Sequence, residues 1–305
     1  GNKYTDLEVI NMSIFTGSCV ALVTPFNDDG SINFDKFIEL LDYHLEHKTD
    51  AVLICGTTGE ASTIDDKDQI ECVRLAAKHI NKRMPVIAGA GSNDTAHAVS
   101  LAKESEKAGA DGLLIVTPYY NKTSQKGLIA HYTAIAEAVN IPIILYNVPG
   151  RTGMRIAPET CAELSKIPNI VAVKDATGDI SSVAKTAALC GSSFDIYSGN
   201  DDQTLPILSL GGKGVISVTA NIIPDEMHDI CEAYFNGNHD KARQIQLDIL
   251  GIFDAMFCDV NPMPVKEAMN ILGYGVGPCK LPLVGISEEH IGYVKSELKK
   301  FGLLK

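Results

Sequence analysis

A lysine stands at the end of a short apolar segment in "VAVKDATGD", residues 171–179. The small and β-branched residues before Lys174 are typical of a buried strand, and the polar residues and glycine after it are typical of a turn. Partial burial disfavours the ammonium form, and the neutral amine can form a Schiff base with a carbonyl compound. The alternative is a lysine at a strand end that pairs with a carboxylate. The chemistry open to Lys174 is imine formation or an ordinary ion pair.

Three other lysines are weaker candidates for this chemistry. Lys213 precedes an apolar segment, so we expect it at the opposite end of a strand. Lys266 follows "NPMP" at the start of a predicted helix, and Lys122 lies in a predicted loop. Only Lys174 is carried by a predicted strand.

Hydroxyl groups end three other apolar segments. Tyr146, Thr57 and Tyr120 follow different segments, and imine and enamine chemistry needs proton transfers at the carbonyl oxygen and the adjacent carbon. Each residue by itself would more often be a packing residue at the rim of a barrel. Together they indicate a proton relay beside the amine.

An arginine and a pair of threonines could bind carboxylates. In "YNVPGRT" the proline and glycine predict a tight turn that brings Arg151 near the site, where its guanidinium can hold a carboxylate with two hydrogen bonds. The alternative is a surface arginine paired with Asp or Glu. Thr57 and Thr58 lie between Gly56 and Gly59 and offer hydroxyl and backbone N–H groups. This combination predicts an aldolase that acts on keto acids.

Eight short apolar segments recur along the chain, and helical patterns separate them. Their near-continuous apolar character is typical of parallel strands covered on both faces. Eight strand-then-helix units favour an α/β fold, a (β/α)₈ TIM barrel, over an open doubly wound sheet. The segments are "CVALVTPF", "AVLICGTTGE", "PVIAGAGS", "GLLIVTPYY", "IPIILYNVPGRT", "IVAVKDATG", "FDIYSGNDD" and "GVISVTAN".

The barrel pattern divides the chain into three parts. We expect residues 12–237 to form the catalytic barrel, and residues 238–305, which show helical patterns only, to form a C-terminal helical subdomain. Because a methionine and an apolar segment follow residues 1–11, we expect Met12 to be the native first residue and residues 1–11 to be a remnant added before it. In a barrel of this kind the catalytic groups lie at the carboxyl ends of the strands.

Other site classes find no support in the motifs. Zinc-binding motifs and phosphate-binding glycine loops are missing, and "GAGSND" lacks the third glycine of a dinucleotide-binding turn. Asp201 and Asp202 have no neighbouring metal-ligand types, so we interpret them as a cap for the following helix. We expect no metal and no cofactor.

Composition excludes several classes of partner. The net charge of −12 and the lack of basic clusters argue against nucleic acid, and no apolar run reaches the length that spans a membrane. The eight dispersed cysteines are typical of reduced thiols in the core of a cytoplasmic protein. We expect a small-molecule substrate and no membrane partner.

Six motifs in this order resemble the dihydrodipicolinate synthase family, within the superfamily of pyruvate-dependent class I aldolases that includes N-acetylneuraminate lyase. The resemblance covers nearly all of the chain from Met12 onward. It implies a Schiff-base lyase that condenses pyruvate with L-aspartate 4-semialdehyde in lysine and diaminopimelate biosynthesis, in a homotetramer. The motifs are "GTTGE", "TPYYNK", "YNVPGRT", "VAVKDATGD", "GNDD" and "GVISVTAN".

The resemblance also implies a role for each site residue. Lys174 would form the imine with pyruvate. The relay would consist of Tyr146, Thr57 and Tyr120, with Tyr120 reaching in from the adjacent subunit. The substrate-binding groups would be Thr58 for the pyruvate carboxylate, Arg151 for the semialdehyde carboxylate, and the backbones of Gly199 and Ile216.

Many members of the resembled family are inhibited by lysine at a dimer interface. The positions that match this site here are Ala61, Ser62, Asp66, Gln69, Asn93, His97 and Tyr119. His97 stands where the family has a glutamate that pairs with the ligand's amine, and a protonated histidine would repel that amine. The resemblance therefore implies weak or absent feedback by lysine.

Two alternatives remain open at this point. The chain could be another pyruvate aldolase on the same scaffold, a lyase of N-acetylneuraminate or of keto-deoxy-sugar acids. It could also be a noncatalytic homologue that binds ligands, although such a protein would be expected to lose the lysine or the tyrosines. Arg151 favours a substrate with a second carboxylate over a polyhydroxy sugar acid.

Overall fold

The computed structural model describes residues 13–305. The expectation for Met12 and residues 1–11 lies outside the described residues. Within them, no helix is both long enough and apolar enough to cross a membrane.

Eight parallel strands close into a barrel, each paired with its neighbours in chain order, and the last pairs with the first. The predicted fold class is confirmed, because each of the eight apolar segments contains one strand. The strands are β1 (Gly17–Ala21), β2 (Ala51–Ile54), β3 (Val86–Gly89), β4 (Gly112–Val116), β5 (Ile143–Asn147), β6 (Ile170–Asp175), β7 (Asp195–Ser198) and β8 (Gly214–Ser217).

Helices cover the outside of the barrel and form the C-terminal part of the chain. Many begin at a side chain that accepts a backbone N–H, as Asp65 does before α2 and Ser124 before α4. The helices are α1 (Phe34–Glu46), α2 (Asp66–Ile80), α3 (Thr95–Lys107), α4 (Gln125–Ala138), α5 (Pro149–Thr152), α6 (Pro158–Leu164), α7 (Ile180–Cys190), α8 (Thr204–Ser209), α9 (Pro224–Phe235), α10 (His239–Asp248), α11 (Leu250–Met256), α12 (Met263–Ile271) and α13 (Glu288–Lys300).

The last four helices lie in the range predicted as a C-terminal subdomain. Helix α10 packs against α8 and α9, and α11, α12 and α13 pack against one another. The division of the chain into separate domains stays a prediction. The eight cysteines keep free thiols, and most of them are buried, as expected for packing residues.

Strand alternation decides which side chains enter the barrel. In β6, Ala172 packs in the interior cluster, whereas Val173 packs in the layer between strands and helices. Because successive side chains of a strand point to opposite faces, Lys174 points into the barrel. In β5, Tyr146 belongs to the same interior cluster. The carboxyl end of the barrel therefore receives both side chains from neighbouring strands.

A histidine buried on helix α1 predicts a loss of stability in acid. His44 is fully buried, its Nδ1 lies 2.8 Å from Thr49 Oγ1, and its Nε2 finds no partner among residues 13–305. Burial lowers its pKa to about 3, below the usual 6.5. Below pH 6.5 the unfolded chain takes up a proton on this histidine and the folded chain does not, so the free energy of unfolding decreases as the pH is lowered. We expect a loss of about 2 kcal/mol between roughly pH 7 and pH 5.

Urea unfolding of wild type and of His44→Gln at several pH values measures this contribution. The variant should lack most of the acid-dependent loss, whatever its stability at neutral pH. His239→Gln, at an exposed histidine, is the control and should follow the wild-type pH dependence. Equal pH dependence in wild type and His44→Gln would contradict the prediction.

Candidate active site

Lys174 and Tyr146 meet at the carboxyl end of the barrel. They are register partners on β6 and β5. The Lys174 Nζ lies 4.1 Å from the centroid of the Tyr146 ring, and both side chains are buried. At this distance the Nζ lies over the face of the ring, the geometry of a cation–π contact. An amine and a phenol are thus held together in the interior.

The predicted threonines lie in a tight loop after β2. The Glu60 N–H donates to the Thr57 carbonyl at 3.0 Å, and the Ala61 N–H donates to the Gly56 carbonyl at 3.3 Å. Thr58 is buried in this loop, and its Oγ1 accepts a hydrogen bond of 3.0 Å from Asn261 Nδ2. The loop holds the two threonines in fixed positions.

Arg151 lies on the short helix α5, which begins with Pro149 directly after β5. The side chain is exposed, and one terminal nitrogen donates to the Asn261 carbonyl at 3.3 Å. This neutral partner leaves the guanidinium charge available to an anion. The alternative of a surface arginine paired with a carboxylate is not what the structure has, since no ion pair of Arg151 occurs among residues 13–305.

A cavity of about 420 Å³ brings together three predicted active-site residues, Thr57, Tyr146 and Arg151. Its volume suits a small molecule. Lys174 is not among the residues that line the cavity, and it reaches the site through its contact with the Tyr146 ring. The cavity also extends to residues of the predicted lysine site, namely Ala61, Ser62, Asp66, Gln69, His97 and Tyr119.

Three further predicted residues occupy different positions. Ile216 is buried on β8 inside the barrel. Gly199 follows β7, and a Cβ there would lie 2.7 Å from the Ala176 Cβ, so only glycine fits. Tyr120 is 93 % exposed with a backbone φ of 69°, and it does not line the cavity of its own chain.

The predicted lysine site forms a local network. His97 Nε2 lies 2.9 Å from one Asp66 carboxylate oxygen, and its Nδ1 lies 3.0 Å from Ser92 Oγ. Gln69 Nε2 donates to the Ala61 and Ile64 carbonyls at 2.9 and 2.8 Å. The histidine and its neighbours are already paired with the protein.

Asn93 and Tyr119 lie in a second part of the predicted lysine site. The Asn93 Nδ2 donates to the Tyr119 carbonyl at 3.2 Å, and Asn121 donates back to the Asn93 carbonyl at 2.9 Å. These bonds join the backbone of the segment that carries Tyr119 and Tyr120 to the loop after β3.

The interpretation of Asp201 and Asp202 as a helix cap is wrong. They lie in a 3₁₀ turn, and α8 begins without a side-chain cap. The Asp201 carboxylate instead accepts the Thr219 N–H at 2.9 Å and the Thr219 hydroxyl at 2.6 Å. Burial raises the Asp201 pKa. The hydrogen bonds from Thr219 and, separately, the positive charge of Lys174 oppose that rise. The acidic pair looked like a cap because a helix follows it, whereas the closing of β7 against β8 turns Asp201 inward.

Residues from the C-terminal part support the site, and sequence reasoning missed them. Lys266 Nζ donates to the Glu60 carboxylate at 2.9 Å and to the Thr24 and Pro278 carbonyls at 2.9 and 2.7 Å. Glu60 itself has a positive φ of 57°, uncommon for a residue other than glycine. Burial lowers the pKa of Lys266, and Glu60 opposes that shift. The only signal in the sequence was a lysine two residues after "NPMP".

One group of metal-ligand types exists among residues 13–305. His228, Asp229 and Glu232 have ligand atoms within 4.8 Å of one another. Asp229 accepts a bond from Lys48 at 2.8 Å, and His228 Nδ1 lies 2.8 Å from Asp50, directly before β2. The group therefore lies at the amino end of the strands, away from Lys174, and its atoms have protein partners.

Known proteins resemble this chain over nearly all of the described residues. A sequence profile of the Dihydrodipicolinate synthetase family matches residues 14–301. The chain belongs to this family. A 4-hydroxy-tetrahydrodipicolinate synthase of Thermoanaerobacter sp. (strain X514) is 55 % identical over 295 residues, covering 96 % of this chain and 99 % of the relative.

Solved structures of dihydrodipicolinate synthases have the same fold. The enzyme from Acinetobacter baumannii complexed with pyruvate is 40 % identical, with a TM-score of 0.93 and coverage of 95 % of this chain and 99 % of that one. The enzyme from Cyanidioschyzon merolae with lysine bound is 39 % identical, with a TM-score of 0.94 and coverage of 96 % and 100 %. The predicted family resemblance is confirmed.

Proposed function

We propose that this chain is a 4-hydroxy-tetrahydrodipicolinate synthase, a lyase that condenses pyruvate with L-aspartate 4-semialdehyde through a Schiff base. The observation that carries the proposal is Lys174 Nζ at 4.1 Å from the Tyr146 ring, inside a barrel that has a substrate-sized cavity at this end. Relatives that carry this name share more than half of their residues with the chain. The proposed reaction needs no cofactor.

In the proposed mechanism the neutral Lys174 amine attacks the pyruvate carbonyl. The Tyr146 phenol protonates the departing oxygen, water leaves, and an imine forms. Loss of a methyl proton gives an enamine, whose carbon attacks the aldehyde. The amine of the semialdehyde then attacks the imine carbon, the ring closes, and Lys174 leaves as the free amine. One water leaves overall, and no electrons are exchanged with a third reactant.

The binding groups divide between the two carboxylates. Thr58 binds the pyruvate carboxylate through its hydroxyl, and Arg151 binds the semialdehyde carboxylate at the mouth of the cavity. The backbones of Gly199 and Ile216 complete the proposed pyruvate site. A second carboxylate is the feature that Arg151 favours, in preference to the hydroxyl groups of a sugar acid.

A coupled assay tests the reaction. The enzyme is supplied with pyruvate and aspartate semialdehyde, and in parallel with N-acetylneuraminate and keto-deoxy-gluconate. Turnover of the semialdehyde and its strong loss in Arg151→Met are expected, because the variant lacks the cation that holds the second carboxylate. Arg155→Met, at an exposed arginine paired with Asp179, is the matched control. Activity on the sugar acids alone would overturn the proposal.

Tyr120 completes the proposed relay only if a second subunit contributes it. The side chain stands outside its own chain's cavity and is 93 % exposed, which suits a ring that enters a neighbouring active site. We therefore propose a homotetramer in which paired subunits exchange Tyr120. Mixing inactive Tyr120→Phe and Lys174→Met subunits should restore activity, since one mixed site would then hold both intact residues.

We predict weak or absent inhibition by lysine. A lysine ammonium in the predicted regulatory site would meet His97 where a carboxylate is needed, and the nearby Asp66 carboxylate is already bonded to that histidine. Titration of the assay with L-lysine measures the effect, and His97→Glu should increase sensitivity over His97→Gln. Half-inhibition of the wild type below about 1 mM, a level equal to roughly 4 kcal/mol of binding, would contradict the prediction.

A further inference from the structure

Asn261 joins the C-terminal part of the chain to both carboxylate-binding residues. Its Nδ2 donates to Thr58 Oγ1 at 3.0 Å, and its backbone carbonyl accepts a hydrogen bond from Arg151 at 3.3 Å. Asn261 is only 6 % exposed. Thr58 lies in the loop after β2 and Arg151 on helix α5 after β5, so one buried residue contacts two separate segments at the site.

The bond to Thr58 sets the direction of its hydroxyl group. A threonine hydroxyl has one hydrogen to donate and two lone pairs that accept. Because Asn261 Nδ2 donates, Thr58 Oγ1 accepts, and within residues 13–305 this is the one hydrogen bond of that hydroxyl. The hydroxyl hydrogen therefore has no acceptor among these residues; Thr58 is buried and does not itself line the cavity, whose wall at this loop includes Thr57. A hydroxyl with a carbonyl or carboxylate partner would instead turn its hydrogen toward the protein.

The other polar atom of the Asn261 side chain is not used by the protein. Its Oδ1 is buried and has no hydrogen-bond partner among the described residues. The bond to Thr58 is therefore the one side-chain hydrogen bond that Asn261 makes within residues 13–305.

We propose that Asn261 is a positioning residue for pyruvate: its amide N–H orients the Thr58 hydroxyl to donate to the pyruvate carboxylate. The proposal rests on the proposed function and names what makes that site selective for the anion. Arg151 is held through the backbone carbonyl of Asn261, so changes of the Asn261 side chain act first on pyruvate and only second on the semialdehyde.

Asn261→Asp and Asn261→Ala provide the test. Aspartate has nearly the same shape, but it accepts the Thr58 hydrogen and adds a negative charge near the pyruvate carboxylate. The KM for pyruvate should rise at least about tenfold in Asn261→Asp, the size of one hydrogen bond to a charged group. The rise should be smaller in Asn261→Ala, and the KM for the semialdehyde should change less in both. A purely structural asparagine would give the opposite order, because aspartate preserves the packing better than alanine.

Asn270→Asp is the matched control in the same part of the chain. Asn270 Nδ2 donates to the Gly277 carbonyl and its Oδ1 accepts from Val276, so this change disturbs a structural bond of the same type. It should lower stability and leave the KM for pyruvate unchanged. An equal rise in the control, or a pyruvate KM in Asn261→Asp within twofold of wild type, overturns the proposal.

Two further measurements keep the test decisive. If Asn261→Asp does not fold, Asn261→Ala is compared in the wild-type and Thr58→Ala backgrounds, and its effect on the KM for pyruvate should vanish in the second. Additive effects would overturn the proposal. Reduction with borohydride in the presence of pyruvate separates the two levels of inference. A wild type that forms no adduct refutes the proposed function. A wild type that forms the adduct, together with Asn261 variants whose KM for pyruvate is unchanged, refutes the role of Asn261 alone.

Discussion

Lys174→Met is expected to abolish the covalent adduct with pyruvate and to lower kcat/KM on the order of 10⁴-fold or more. The reason is that the amine forms the bond on which every later step depends, and substrate binding alone cannot replace a nucleophile. In the wild type, borohydride should reduce the imine and add about 72 Da, the mass of pyruvate less water plus two hydrogens. Mass spectrometry of the intact chain and of its peptides measures both the adduct and its position.

Two lysines serve as controls for this result. Lys122→Met removes the lysine of the loop after β4, which packs beside Gly153, and Lys213→Met removes the one before β8. Both variants should keep the adduct and most of the activity. An adduct that persists in Lys174→Met, or that maps to another lysine in the wild type, would refute the assignment. Circular dichroism should show that Lys174→Met remains folded, because methionine fills nearly the same volume in the interior of the barrel.

Lys266→Met is expected to destabilise the protein by about 3–5 kcal/mol. The change leaves the Glu60 carboxylate, whose side chain is 2 % exposed, without its cation in the interior. The same change frees the loop that carries Thr57 and Thr58, so activity should fall as well. Urea unfolding followed by tyrosine fluorescence measures the free energy of unfolding.

A double variant separates the charge from the packing. Glu60→Gln combined with Lys266→Met removes the uncompensated charge and should recover part of the lost stability, and it should recover folding if the single variant does not fold. Lys107→Met is the matched control, since its partner Glu104 and Lys107 itself are both largely exposed, and it should cost well under about 1 kcal/mol. A loss in Lys266→Met no larger than in this control would show that the buried pair contributes little.

The barrel and the position of the proposed nucleophile could be read from local patterns. Continuous apolar segments predict strands covered on both faces, and their number predicts the closed sheet that the structure has. Lys174 follows from the same pattern, because a strand of period two places it beside the inward residue Ala172. These inferences need only neighbouring residues, and for that reason the sequence was sufficient.

The supporting contacts of the site could not be read in this way. Asn261 and Lys266 meet Thr58 and Glu60 over separations of 203 and 206 residues. No local pattern links such distant positions, and each residue taken alone looks like part of an ordinary helix start. Asp201 was misinterpreted for the same reason, because its partner Thr219 lies on the far side of β8.

The sequence by itself determined the fold class, the lysine near the carboxyl end of β6 and the residue types gathered at the strand ends, since these follow from periodicity along the chain. Only the tertiary structure decided how that end of the barrel is held. It packs the Lys174 amine against the Tyr146 ring, buries Lys266 against Glu60 and directs Asn261 at Thr58. The physical reason is that burial and hydrogen-bond direction depend on which distant segments exclude water from one another.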